Sequence, residues 1–500
     1  MPPVPWQDPV FRRWALLGTT VSLLVAWLTP GFLHPDEHFQ VLEFAHYLRG
    51  GTPASDLAWE FRSQIRPFLQ PAIYAGIITP FAALGLESPH AWVRILRIST
   101  TLIGLYAAWT LARQYPRWLK TQAGLHFAWA ATALLYFLPF VRARTSSESA
   151  ASAAMLGIFA WLAAAPRARA EARSSLSPQA AFWAFFLGGV AFQLRYQMAL
   201  MLLGVGLWCL LIARISARAW AAAVAGFLGA TSLGLFADRL GYGAWTLPPM
   251  RYFAVNLLEG KAAEFGTRPT EAYVGLLWHD LGKPFGALVL LVFVGLLLRR
   301  PKDLLVWSAL PFILLHAVIA HKETRFLSPC YFLVPLAAAI LYEELAARWP
   351  GRGWRASAMV LAALNGFYLF TAHGFFLYGG GLREALGAEP MGPVYFVGDH
   401  PFGGEQPRMD LYWPKTQPVE PLPVEAIEAR LALEPQFYFA YHGRHLPPPP
   451  FPTACTELFR EPHLFPEGWY ENRAIRRLFD VRDFRRLYRC QATSAYAAAP

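Results

Sequence analysis

Charge is scarce in this chain. Only 15% of the residues are charged, where a soluble domain carries nearer a quarter. Lysine is almost absent, with six against 38 arginines. The interiors of the long apolar runs hold no Asp or Glu, which speaks against a transporter coupled through mid-membrane carboxylates. No internal repeat is visible, so an inverted-repeat transporter is disfavoured too. Asparagine occurs three times, as Asn256, Asn365 and Asn472, and never in an N-x-S/T sequon, so no glycosylation mark reports topology. There are four cysteines and no CxxC pair. Cys209 and Cys330 lie in apolar runs and read as inert. Cys455 and Cys490 lie in a polar region and can pair if that region faces an oxidising compartment.

What is abundant is apolar. Hydrophobic residues make up 55% of the chain. Runs of about 15 to 22 of them recur along roughly the first 380 positions, the length that spans a bilayer core. The reading is a polytopic α-helical membrane protein with about eleven spans, at roughly 14–33, 98–112, 122–141, 149–166, 178–194, 197–213, 219–237, 284–298, 304–320, 326–342 and 356–377. The first run lacks a small-residue cleavage site after it and reads as a retained helix.

The net charge of +11 would suggest nucleic acid in a soluble protein. Here the basic residues fall on alternate connections: Arg12 and Arg13; Arg113, Arg117 and Lys120; Arg167, Arg169 and Arg173; Arg214 and Arg218; Arg299, Arg300 and Lys302; Arg348, Arg352 and Arg355. The positive-inside rule puts that set in the cytoplasm, and no nucleic-acid partner is expected. The parity requires the apolar but short stretch 71–86 to be interfacial or re-entrant. Residues 1–378 then form a membrane domain. Residues 379–500 form a small α/β domain outside it, with "VYFVG" and "QFYFAYHG" strand-like and "VEAIEARLAL" a short amphipathic helix.

The unusual polar stretches all fall on the opposite, non-cytoplasmic side. "HPDEHFQ" sets Asp36 and Glu37 on a bend made by Pro35. Taken alone, such a pair is a solvated helix end. His34 and His38 beside two carboxylates raise a metal reading, which Pro35 between them disfavours, and no metal or cofactor is expected. "LAWEFRSQIRPFLQP" mixes Trp59, Glu60, Arg62 and Arg66; it fits an interfacial helix, or an arginine holding an anionic group. In "RARTSSES", Arg144 and Glu148 are spaced to pair, and Ser146 or Ser147 to cap a helix. "HKETRF" offers His321, Lys322 and Arg325 within five residues, a cluster that suits a phosphate or plain snorkelling. The loop 238–283 is rich in aromatics and glycine. Together these stretches place carboxylates, phosphate-grade cations and aromatics on one membrane face, which suits transfer of a group from a lipid-phosphate donor.

In order, HPDEHFQ, WE…IR, RTSSE, DRLGYG…YFAVN…FGTRP and HKETRFLSP resemble glycosyltransferase family 22, the dolichyl-phosphate-mannose-dependent mannosyltransferases of N-glycan and GPI-anchor assembly. The resemblance covers about 30 to 340. It departs near Ser147, where the family usually has Asn, and at Thr324, where it often has Glu. It implies the GT-C fold and an inverting transfer of mannose from a polyprenyl-phosphate mannose to a hydroxyl of a glycan or glycolipid. On this resemblance Asp36, with Glu37 as alternative, is the catalytic base. His321, Lys322 and Arg325 bind the donor phosphate, and His34, Glu60, Arg66, Arg144, Glu148 and Asp238 are further substrate-binding candidates. The alternatives are another GT-C member carrying a different sugar to protein or lipid A, and then a transporter or an envelope scaffold. Arginine over lysine, with abundant alanine and leucine, points to a GC-rich genome. That favours a bacterial inner membrane, or the endoplasmic reticulum if the source is eukaryotic.

Overall fold

The structure is a computed structural model. It describes residues 4–29, 31–32, 34–164, 176–348, 352–371, 380–388, 392–402, 408–413, 418–443, 454–461 and 484–491. The chain divides into two compact units. The first takes in Met1–Trp27, Glu60–Ile77 and Ile95–Phe370; the second takes in Leu28–Trp59, Ile78–Arg94 and Thr371–Pro500.

The first unit is helical, and each expected span overlaps a helix or a broken one among the described residues. Ser147–Ala164, Pro178–Leu194, Met198–Leu211, Ala217–Tyr242, Lys283–Arg299 and Leu304–Val318 match the apolar runs closely. Two expected spans are interrupted, and proline explains both. The run 122–141 splits into Gln122–Leu134 and Phe137–Arg142. Pro139 has no N–H for the Leu135 carbonyl, and its ring crowds that group, so the helix breaks there. The run 326–342 becomes Thr324–Tyr331 and Val334–Arg348, bent by 61°. Pro335 has the same effect on the Tyr331 carbonyl. The 71–86 stretch is the helix Leu69–Ala83, with Pro80 inside it. Among the described residues, three helices are long and apolar enough to cross a membrane, or four counting the bent pair. Arg167, Arg169 and Arg173 lie outside the described residues.

Small residues set the packing. A side chain on Gly204 of Met198–Leu211 would strike the Trp307 carbonyl at 1.9 Å, so Leu304–Val318 lies directly against that helix. Three basic connections gather at one end of this unit. Trp118 donates its indole N–H to Asp303 at 3.1 Å. Arg300 pairs with Glu344 at 2.7 Å. Glu343 accepts the Lys120 and Thr121 backbone N–H groups.

The second unit carries a five-stranded sheet, in the order β2-β1-β3-β5-β4. The strands are β1 (Val394–Gly398), β2 (Val419–Pro421), β3 (Gln436–Gly443), β4 (Cys455–Glu461) and β5 (Phe484–Gln491). β1 runs parallel to β2 and β3, while β5 runs antiparallel to β3 and β4. Alternation along β3 sends Tyr438 and Ala440 to one core, with Phe32, Leu382 and Leu386. It sends Phe437 and Phe439 to the other, with Ile427 and Leu431 of the helix Ile427–Leu433. Cys455 faces Cys490 across β4 and β5, and a disulfide joins them. Cys209 and Cys330 are buried and free. The bridge closes a loop with a sequence separation of 35, and loop-closure entropy makes that worth about 3–4 kcal/mol. Replacing both cysteines by serine should lower the protection of β5 amides against hydrogen exchange by about that amount. Unchanged protection would show that the bridge is not what holds the strand.

Candidate active site

In the second unit, the HPDEHFQ stretch begins a short helix at Pro35–Glu37 and continues through a π-turn, His38–Leu42, into Glu43–Leu48. Pro35 sits in the first turn, where its missing N–H costs nothing. His34 is the cap: its Nδ1 accepts the Asp36 N–H at 3.2 Å and lies 3.4 Å from the Asp36 carboxylate. A neutral His34 therefore carries its proton on Nε2. The two acids differ sharply. The Asp36 side chain is 29% exposed, whereas Glu37 is only 2% exposed. His34 and His38 diverge. His38 is fully buried, stacked on Tyr412, and its Nε2 lies 2.7 Å from Glu43.

Glu43 organises this region. It takes the Thr52 hydroxyl at 2.5 Å and the Leu411 N–H at 3.0 Å, besides His38. Asp56 and Asp410 are buried beside it. Burial first, then the Glu43 and Asp56 carboxylates, push the Asp410 carboxyl up to about 6, with Arg408 opposing.

In the first unit, the DRLGYG stretch ends the helix Ala217–Tyr242 and serves as a clamp. Asp238 and Tyr242 are one turn apart. Asp238 Oδ1 accepts the Phe68 N–H at 2.7 Å, and Tyr242 donates its hydroxyl to the Arg66 carbonyl at 2.7 Å. A side chain on Gly241 would strike the Phe68 ring at 2.2 Å, which is why glycine stands there. Gly243, at φ +70°, stops the helix in the left-handed conformation. Arg66 lies 3.5 Å from Glu60 and over the Tyr252 ring. Tyr252 is bonded in turn to Gln197. Asp238 Oδ2 is buried with no hydrogen-bond partner among the described residues.

Gln197 leads to a second cluster at the same helix ends. Ser146 caps Ser147–Ala164 by accepting the Ser149 N–H. Glu148, in the first turn, is 3% exposed. Its Oε1 receives Arg195 at 2.8 Å and Arg325 at 3.2 Å. Arg325 Nε also bonds Glu323 at 2.5 Å, and the other Glu323 oxygen lies 2.8 Å from His321. His321 Nδ1 faces the Gly266 carbonyl. Lys322 is 2% exposed and donates to the Arg268 and Ile319 carbonyls. The three basic side chains of HKETRF thus anchor the 266–268 loop and the carboxylates around them. Arg144 is fully buried at the turn before Ser147–Ala164. Arg62 is exposed.

The first unit therefore brings together Glu60, Arg66 and Asp238 in one cluster, and Glu148, His321, Lys322 and Arg325 in another. Asp36, Glu37 and His34 belong to the second unit. Sequence reasoning missed Arg195, Glu323, Tyr242 and Glu43. Arg195 stood in "QLRYQ", a polar interruption between two apolar runs, and that was the signal available.

Residues 14–382 match the model of the Alg9-like mannosyltransferase family. The chain belongs to that family. One relative is GPI mannosyltransferase 3 of Yarrowia lipolytica, 29% identical over 321 residues, which are 63% of this chain and 59% of that protein. The chain thus covers less than two thirds of that relative's length. Another is the probable Dol-P-Man:Man(7)GlcNAc(2)-PP-Dol alpha-1,6-mannosyltransferase of Schizosaccharomyces pombe, 32% identical over 135 residues, 27% of this chain and 24% of that one. Among solved structures, ArnT from Cupriavidus metallidurans bound to undecaprenyl phosphate aligns over 98% of this chain and 99% of that chain, at 12% identity and a TM-score of 0.48.

Replacing Glu148 by alanine should destabilise the first unit by about 3–5 kcal/mol, because the buried Arg195 guanidinium loses its carboxylate while Arg325 keeps Glu323. Thermal unfolding in detergent measures this. Asp410 yields a pH prediction. Its folded pKa stands above its unfolded value, so its cost is absent below about pH 4 and grows as pH rises through 6. Asp410→Asn should therefore stabilise the protein at pH 8 and change little at pH 4. Unfolding curves at the two pH values check the sign.

Proposed function

We propose that this chain is an inverting mannosyltransferase of GT-C type. It moves mannose from a polyprenyl (dolichyl)-phosphate mannose to a hydroxyl of a glycan or glycolipid, on the non-cytoplasmic face of the membrane. The observation that carries this reading is the family match over 14–382, a range that includes both the HPDE turn and the HKETRF cluster. The Schizosaccharomyces relative, whose name specifies Dol-P-Man, supports the donor class. Residues 1–378 serve as the membrane-embedded catalytic domain, with about eleven crossings. Residues 379–500 serve as the extracytoplasmic domain.

The chemistry is a single displacement. The acceptor oxygen bonds to C1 of mannose as the C1–O bond to phosphate breaks, and the electron pair leaves on the lipid phosphate. Asp36 takes the acceptor proton. It is the reachable acid of the pair, and its backbone is held by His34. Glu37, nearly inaccessible, positions the turn. Arg325 and Lys322 supply positive charge for the departing phosphate, with His321 as a further phosphate-binding side chain. Glu60, Arg66, Arg144, Glu148 and Asp238 shape the substrate pocket. Lipid phosphate is already a fair leaving group, so the displacement needs no metal in principle.

Membranes expressing the wild type should transfer labelled mannose from polyprenyl-phosphate mannose to a lipid extract. Asp36→Asn at matched expression should lose about 10²–10⁴-fold. Equal transfer by both proteins would remove Asp36 as the base, and transfer of a different sugar only would replace the donor.

A further inference from the structure

Arg195 is not explained by structural support alone. It sits at the turn between Pro178–Leu194 and Met198–Leu211, where it ends the first helix in an extended conformation. It is 5% exposed. Among the described residues only Nη1 is engaged, by Glu148 at 2.8 Å and by the Ser147 hydroxyl at 3.3 Å. Nε and Nη2 are both buried with no hydrogen-bond partner among the described residues. Leaving charged donors buried and unpaired is costly. The Phe326 ring, 5.5 Å from the guanidinium, offsets only part of that.

The orphaned atoms are informative by their position on the group. Nε–H and Nη2–H form one edge of the guanidinium, with two parallel donors spaced for two oxygens of a carboxylate or phosphate. The same Glu148 oxygen that fixes Arg195 also receives Arg325, and Phe326 lies under both guanidiniums. Glu148 therefore sets two arginines in one arrangement and leaves the bidentate edge of one of them unsatisfied among the described residues.

We infer that Arg195 is a ligand of the lipid carrier's phosphate, its Nε–H and Nη2–H edge taking two phosphate oxygens while Glu148 holds the opposite side. This rests on reading the chain as a lipid-phosphate-sugar transferase. It adds a cation that lies far from the HKETRF motif in sequence. Glu148 becomes a positioning residue for both arginines.

Lysine separates this role from a structural one. Arg195→Lys keeps the charge and the pair with Glu148, but it has no planar fork and cannot serve both partners. The purified full chain in nanodiscs is titrated with undecaprenyl phosphate, and the Michaelis constant for polyprenyl-phosphate mannose is measured in parallel. The expected result is at least a tenfold loss of affinity in Arg195→Lys, a matching rise in that Michaelis constant, and a melting temperature near that of wild type. Arg195→Gln should bind no better than the lysine variant. If Arg195→Lys binds and turns over like wild type, Arg195 is only a structural partner of Glu148 and the inference fails alone. If the wild type neither binds undecaprenyl phosphate nor uses the mannose donor, the donor reading fails and this inference with it.

Discussion

Glu148 Oε1 receives two guanidiniums, and the first unit is arranged around that contact. Two arginines brought this close repel each other, and each loses hydration when buried. A single carboxylate between them makes the arrangement tolerable. Its position follows from the chain. Ser146 caps Ser147–Ala164, so Glu148 falls in the first turn, where the helix dipole also favours a negative charge. The alanine-rich helix behind it, SESAASAAMLGIFAWLAA, lets neighbouring helices approach closely. Glu148 then meets Arg195 from one helix end and Arg325 from the 3₁₀ turn Thr324–Leu327.

The Asp238–Tyr242 clamp works by another principle. It uses the Asp238 carboxyl as acceptor and the Tyr242 hydroxyl as donor to secure backbone groups of residues 66–68. That segment leaves helical geometry between Trp59–Ser63 and Leu69–Ala83. Backbone groups away from both helix and water need partners, and the end of Ala217–Tyr242 supplies them. Arg66 is thereby held over Tyr252, and Gln197 ties Tyr252 to the turn that carries Arg195. The two polar clusters of this unit are linked through aromatic side chains. In the second unit Glu43 has the corresponding role, gathering His38, Thr52 and the Leu411 backbone under the turn that presents Asp36.

The apolar runs located the helices because hydrophobic length is a local property that each segment carries by itself. The strands VYFVG and QFYFAYHG were legible for the same reason, through alternation and turn punctuation. The two broken helices were written in Pro139 and Pro335, although apolarity masked them. Ordered motifs also marked Asp36, Glu60, Arg66, Glu148, Asp238 and the HKETRF cations. Pairing was not legible. Arg144 is spaced to meet Glu148 by helical periodicity, but Glu148 also accepts from Arg195 and Arg325, which lie 47 and 177 positions away. Nothing in the spacing of HKETRF shows that Lys322 is spent on two carbonyls. Nor does spacing show that Cys455 and Cys490 lie opposite each other, which the antiparallel register of β4 and β5 decides. The sequence by itself determined where helices form, which family the motifs belong to and which residues are candidates for its chemistry. Only the tertiary structure decided which charges share a partner and which donors are left open. Burial and hydrogen bonding depend on what packs nearby in space, and segments distant along the chain supply it.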